Sequence, residues 1–116
     1  MNTGKLGEDM AARYLEANGY TVIARNFHSR WGEIDIIAKD GDCTVFIEVK
    51  ARKRTDYGLP CEYVTPEKIK KIVKTAMVYL DNQESEMRFD VCEIYLRENK
   101  INHIKNAFGG SYDLFL

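Results

Sequence analysis

No stretch of the sequence approaches the roughly 18 uninterrupted apolar residues that a membrane-spanning helix requires. Met1 to Met10 also lack the apolar core of a secretory signal, so a cytoplasmic protein without membrane attachment is expected. Cysteine is scarce: Cys43, Cys61 and Cys92 are odd in number and far apart, which excludes both a disulfide scaffold and a closely spaced thiolate zinc site. They are expected to be reduced thiols, at least two of them on strands. Histidine is as sparse, and His28 and His103 stand without a serine or cysteine at a plausible triad spacing, so a nucleophilic triad is not supported. The glycines Gly4, Gly7, Gly109 and Gly110 are not followed by a phosphate-loop lysine, which argues against a nucleotide-binding loop. No internal repeat or low-complexity tract interrupts the chain.

What the sequence does contain is a balanced 116 residues, 45% apolar and 30% charged, enough for one core and too few for two, so one domain over residues 1–116 is expected. The formal net charge of −1 excludes a uniformly basic nucleic-acid binder. The average conceals a local asymmetry, because the segment from Lys50 to Lys74 carries +5 and the remainder −6. A positive strip beside a cluster of acids is what a site binding both a phosphate and its cation requires. The simpler alternative is a solvated helix face and loop.

Periodicity sets out the elements. Thr3 is placed to cap a first helix whose apolar face is Leu6, Met10, Ala11, Tyr14, Leu15 and Ala17, closed by Asn18-Gly19. Glu8 falls on the border of that face and is aimed inward, whereas Asp9, Arg13 and Glu16 fall on the wet side. Tyr20 to Arg25, Gly32 to Ala38 and Cys43 to Ala51 read as three strands in an antiparallel meander, the last two joined across Asp40-Gly41. Residues 53–64, with Gly58 and Pro60, read as a long loop of the kind that carries function. Thr65-Pro66-Glu67 then supplies a cap, a first-turn proline and a first-turn acid for a helix through Ile69, Ile72, Val73, Ala76, Met77 and Leu80. Two more strands come after it, Arg88 to Leu96 and Ile101 to Ile104. The order helix, three strands, helix, two strands predicts an α/β domain with a mixed sheet flanked by helices.

The chemistry is concentrated in Gly32-Glu33-Ile34-Asp35-Ile36-Ile37-Ala38 and Val45-Phe46-Ile47-Glu48-Val49-Lys50. Strand alternation puts Glu48 and Lys50 on one face, with Val45, Ile47 and Val49 on the other, and Glu33 on the face of Asp35. Pairing across the turn then brings Asp35 beside Glu48. Gathered carboxylates repel, and a hard cation relieves this; carboxylate oxygens with one backbone carbonyl, that of Val49, suit Mg²⁺ or Mn²⁺. In such a site Lys50 would orient or deprotonate a water and stabilise transition-state charge. The competing reading is the wet face of a sheet with a cross-strand ion pair. Against it, Phe46 shares the face of Glu48 and Lys50, Ile37 that of Asp35, and Glu8 adds a carboxylate from a half-buried helix border.

The pairing of Glu33-Ile34-Asp35 with Glu48-Val49-Lys50 resembles the PD-(D/E)XK nuclease signature. The whole chain is similar to the YraN-like family of small bacterial proteins, through Gly4, Gly7, Glu8, Ala11, Leu15, Gly19-Tyr20, Arg25-Asn26, Gly32 to Asp35, Glu48 to Lys50 with Arg52, Lys68, Ala76, Tyr79-Leu80, Arg88 to Val91 and Ala107-Phe108. The resemblance implies a restriction-endonuclease-like fold similar to archaeal Holliday-junction resolvases, with Asp35 and Glu48 binding metal, Lys50 serving catalysis and Glu8 joining the metal shell. Ile34 replaces the signature's leading proline, and Ile69 stands where a polar glutamine is expected.

The combined expectation is a metal-dependent endonuclease acting on DNA, branched or single-stranded structures among its substrates. Phosphates would be gripped by Lys68, Lys71 and Lys74 with Arg52, Lys53 and Arg54, extended by Arg25 and Arg30. Trp31 is read chiefly as a core tryptophan at a strand start, in preference to a base-stacking platform. The apolar tail, Gly109 to Leu116, is expected to dock and to support a homodimer. Two rivals share the observations: a nucleic-acid-binding module of the same fold without effective catalysis, and a protein-interaction adaptor suggested by that tail.

Overall fold

The second long helix is capped as its sequence dictates. In a computed structural model describing residues 3–52 and 65–108, Thr65 accepts a hydrogen bond on Oγ1 from the Lys68 N–H at 3.1 Å, Pro66 opens the helix, and Asp81 in the left-handed conformation closes it. The elements are α1 (Thr3–Ala17), β1 (Thr21–Ser29), β2 (Gly32–Asp40), β3 (Cys43–Arg52), α2 (Pro66–Leu80), β4 (Met87–Tyr95) and β5 (Lys100–Ile104). The expected loop at 53–64, with Lys53, Arg54 and Cys61, and the tail from Gly109 with its homodimer lie outside the described residues.

The sheet has five strands in the order β1-β2-β3-β4-β5. β1, β2 and β3 form the antiparallel meander, β3 and β4 run parallel, and β5 returns antiparallel on β4. The mixed α/β architecture and the element order are those expected of a restriction-endonuclease-like domain. A parallel neighbour cannot be reached by a tight turn, so the chain crosses between β3 and β4 through α2. Each sheet face thereby gains one helix and one core. Ala11, Leu15, Ile36, Val45, Ile47 and Ile94 meet on the α1 face; Ile37, Phe46, Ile69, Val73, Phe89 and Val91 meet on the α2 face. Covering both faces is why the middle strands read as near-continuous apolar runs.

Gly7 lies where α1 presses on β3. A Cβ there would come within 2.7 Å of the Ala51 Cβ, so glycine inside the helix permits the contact that sets Glu8 over the sheet. β1 runs on to Ser29, past the expected end at Arg25, because an edge strand needs only one apolar face and its pairing with β2 continues through Phe27↔Ile34 to Ser29↔Gly32. Trp31 belongs to neither core. It occupies the two-residue turn between β1 and β2 and is half-buried there, correcting its reading as a core residue. Cys43 and Cys92 are free thiols on β3 and β4, as expected, and no described helix is long and apolar enough to cross a membrane.

The far side of the α1 layer is tied together by a buried polar network that periodicity does not reveal. Asp90, fully buried, accepts Nε and Nη2 of Arg88 at 2.9 and 3.0 Å, Nε2 of His103 at 2.7 Å and the backbone N–H of Asn106 at 3.0 Å. Arg88 also reaches Asp40 and the Tyr20 hydroxyl, and His103 Nδ1 lies 3.1 Å from the Tyr14 hydroxyl. Burial pushes the Asp90 carboxyl up, but the hydrogen bonds from His103, Arg88 and Asn106 outweigh it and hold the group below its ordinary value. A carboxyl depressed in the folded state lends stability above the unfolded value of 3.8 and loses it as pH falls through the folded value. Asp90→Asn is therefore expected to cost about 2 kcal/mol at neutral pH, since it removes the ionised acceptor of Arg88 and leaves the guanidinium only Asp40 and the Tyr20 hydroxyl. The midpoint of thermal unfolding should fall by roughly 10 °C. Part of the parent's loss of stability below pH 4 should vanish in the variant, and equal melting of the two proteins at pH 7 would refute the assignment.

Candidate metal centre

β2 and β3 stay paired only as far as Ile36↔Ile47; beyond that point the two strands part. Asp35 and Glu48 are the next residues on either side of the fork. The Asp35 Oδ2 accepts the backbone N–H of Val49 at 2.8 Å, so a carboxylate takes the place of the missing ladder carbonyl. The side-chain period also slips here. Ile34 and Ile37, three residues apart, both pack on the α2 face, while Ile36 and Ala38 pack on the α1 face. The strict alternation expected along β2 thus fails at Asp35; Glu33 lines the same cavity as Asp35 but is more exposed, with His28 Nε2 at 3.8 Å. On β3 the alternation holds. Phe46 packs toward α2, Val45 and Ile47 toward α1, and Glu48 meets a partner on α2.

That partner is Lys68 in the first turn of α2, whose Nζ pairs with Glu48 Oε1. The second oxygen, Oε2, is buried and has no hydrogen-bond partner among the described residues. An ionised carboxylate oxygen left so is costly, and unsatisfied buried groups in folded proteins commonly mark a place for a water or an ion. Beside it lies a cavity of about 10 Å³ lined by Asp35, Glu48, Phe46, Ile72 and Phe108, room for roughly one water-sized occupant. Burial pushes Asp35 up to about 6; the Val49 hydrogen bond opposes this, while the charges of Glu48, Glu33 and Glu8 add to it. The electrostatic contribution of Glu8 bears out its expected inward aim, and the residue is buried.

Other expected residues have different engagements. Glu8 Oε1 accepts from Arg25 Nε at 2.9 Å and Asn26 Nδ2 at 3.0 Å, and Arg25 Nη2 reaches Asp9 at 2.6 Å. Arg25, expected to extend a phosphate grip, is thus committed to Glu8 and Asp9 of α1. Asn26 sustains this at a positive φ of 53°, a conformation that asparagine tolerates better than most residues. Arg52 Nε lies 3.5 Å from Glu93 Oε2, a buried acid that also accepts from Asn102 and is the register partner of Lys50 on β4. Sequence patterning does not single out Glu93; its one signal is a charge within the apolar run Val91-Cys92-Glu93-Ile94. Among the described residues no three of histidine, cysteine, aspartate and glutamate stand close enough to enclose a metal ion. The structure brings together Asp35, Glu48 and the Val49 backbone, and holds Glu8 in the clasp of Arg25 and Asn26.

With this geometry in view, the similarities of the chain are specific. Residues 7–94 match the profile of the uncharacterised protein family UPF0102. A UPF0102 protein of Persephonella marina is 47% identical over 112 residues, spanning 94% of this chain and 95% of its own. One of Syntrophus aciditrophicus is 46% identical, spanning 97% and 92%, and one of Clostridioides difficile is 44% identical, spanning 90% and 95%. The crystal structure of SSO0001 overlaps 89% of this chain and half of its own, at 18% identity and a TM-score of 0.43, too loose a likeness to carry an argument. The match over most of the chain, spanning Glu8, Asp35, Glu48 and Lys50, makes the protein a member of the family UPF0102, the YraN-like family that its motifs resemble.

Proposed function

We propose that this chain is a divalent-cation-dependent endonuclease that hydrolyses phosphodiester bonds in DNA. The observation that carries the reading is the convergence of the orphaned Glu48 Oε2 and the half-buried, ionisation-resistant Asp35 on one small cavity. Two carboxylates and one carbonyl suffice for Mg²⁺ or Mn²⁺, which keep several waters and bind phosphate directly, so a cage of three protein acids is not required. Asp35, Glu48 and the Val49 carbonyl would hold the ion, with Glu8 joining if Arg25 releases it. When bound, the ion supplies charge neutralisation at the phosphate and an acidified water.

The remaining chemistry falls to the chain. Lys50, two residues beyond Glu48 on the same strand, would orient the attacking water and offset the charge that develops on the phosphate. Lys68 serves as the counter-ion of Glu48 and would turn to phosphate once that charge is otherwise neutralised. Lys71 and Lys74, on the same helix, with Arg30 from the β1–β2 turn, would track the backbone without reading sequence. Arg52, Lys53 and Arg54 belong to this basic strip by sequence. A second reading, a binding module that does not cut, draws on one observation: Glu8 is occupied by Arg25 and Asn26.

Two measurements test this. In the metal-free protein a carboxyl raised to about 6 costs stability as pH rises from 3.8 through 6, because the folded state holds the proton longer than the unfolded one. Asp35→Asn removes that cost and keeps an acceptor for Val49, so in EDTA it should melt above the parent at pH 8 and no higher at pH 4. Melting below the parent at pH 8 would show that the Val49 bond dominates. Second, Mg²⁺ or Mn²⁺ should raise the parent's melting point at pH 8, and less at pH 5 where protons compete for Asp35. Cleavage should fall by roughly a hundredfold or more in Asp35→Asn, Glu48→Gln and Lys50→Met. Lys50→Met alone should keep the metal-induced stabilisation. DNA binding with no metal response and no cleavage by the parent would favour the binding module.

A further inference from the structure

The β1–β2 turn is held more firmly than its place at a hairpin tip requires. The Trp31 N–H donates to Ser29 Oγ at 3.0 Å, Ser29 and Thr75 share a hydroxyl hydrogen bond of 2.8 Å, and Thr75 Oγ1 donates to the Lys71 carbonyl at 2.9 Å. The chain has one consistent direction: Ser29 gives its proton to Thr75 and receives that of Trp31. Thr75 is fully buried, and this relay is what satisfies it. The turn is thereby pinned to α2, the helix that also delivers Lys68 to Glu48.

What the pinned turn presents is an indole between cations. The Arg30 guanidinium carbon lies 4.4 Å from the centre of the Trp31 ring and Lys74 Nζ lies 4.1 Å from it. Burial of hydrocarbon does not explain the residue, since Trp31 is half-buried and outside both cores. A π-face covered only by the ends of two long cationic side chains is one that a base can take over: a base of any identity stacks on the ring in place of a cation, and the displaced cation takes its phosphate. The distance to the metal centre is short. Trp31 precedes Asp35 by four strand residues, about 13 Å, and Lys74 lies six helical residues beyond Lys68, about 9 Å. The two spans cover roughly four and roughly three nucleotides of stacked strand at about 3.4 Å each.

We propose that Trp31, with Arg30 and Lys74, is a stacking platform for an unpaired base about three to four nucleotides from the scissile phosphate. Inside a continuous duplex both faces of every base are covered by neighbours, so the indole finds none to stack on. The platform therefore selects single strands, flaps and branch points over unbroken duplex. The assignment deepens the nuclease reading and rests on it for the meaning of the distance, but binding can be measured apart from cutting.

Trp31 is the single tryptophan of the chain, so its fluorescence reports the platform directly. The full chain in EDTA, where probes stay intact, is titrated with a single-stranded oligonucleotide, a duplex bearing a single-stranded flap, and a relaxed covalently closed circular duplex. The first two should quench the indole emission and the circle should not. Trp31→Leu should weaken binding of the single strand and flap about tenfold and leave the circle unchanged, with Trp31→Phe between parent and leucine variant. Binding without quenching, an equal loss on all three probes, or no binding to any of them would overturn the platform. If Trp31→Leu fails to fold, quenching in the parent decides alone. Cleavage by the parent without quenching would remove the platform and leave the nuclease; quenching without cleavage under Mg²⁺ or Mn²⁺ would keep the platform and remove the nuclease.

Discussion

The hydrogen bond from the Val49 N–H to the Asp35 carboxylate is the constraint on which the candidate site depends. It stands where β2 and β3 part after Ile36↔Ile47, at the point where a ladder would otherwise leave a buried donor unsatisfied. Closing the fork with a side chain has two consequences at once. The carboxylate is drawn toward the sheet and half-buried, and it arrives beside Glu48, so that its ionisation is resisted by burial first and by neighbouring charge second. The backbone that opens the fork and the electrostatics of the site are the same event.

The charges around this fork contrast with the acid next to it on β4, where Asp90 is the register partner of Ile47 and lines the same cavity. Asp90 has four donors and is held ionised, so its network binds α1, Tyr20, β2, β4 and β5 into one frame. At the fork the acids are incompletely answered. Glu48 has Lys68 on one oxygen and nothing described on the other, while Asp35 has a single backbone donor. The fold thus satisfies one buried carboxylate fully and leaves an oxygen of another without a described donor. α2 links the parts: its first turn answers Glu48, its middle pins the β1–β2 turn through Thr75, and Lys74 lies against Trp31.

Much of this is legible in one dimension, and the failures have specific causes. The capping residues Thr65 and Pro66, the turn at Asp40-Gly41 and the two apolar periods locate nearly every element, because those signals are local and each arises from backbone hydrogen bonding or steric preference. Sequence patterning cuts β1 short at Arg25 because Asn26 and His28 break the β-branched run, although on an edge strand they need no burial. The slip at Asp35 is invisible because alternation assumes an unbroken ladder, and only the parting of β2 from β3 reveals that it is broken. Arg25 reads as a phosphate contact because its charge is visible in sequence and its distance from Glu8 and Asp9 is not.

The sequence by itself determined the order of elements, the apolar stripe of each helix, and the placing of Asp35 near Glu48, with Lys50 two residues further along the same strand. Those properties come from spacing along a chain whose local geometry has few choices. Tertiary structure alone decided which charges meet: Lys68 with Glu48, Arg25 with Glu8, Glu93 with Arg52, and Asp90 with Arg88 and His103. It also decided that Trp31 stands at a turn against α2 and not in a core. Such contacts join residues 46 positions apart at Ser29 and Thr75 and 89 apart at Tyr14 and His103. They are set by how two helices dock on opposite faces of one sheet, which no local pattern encodes.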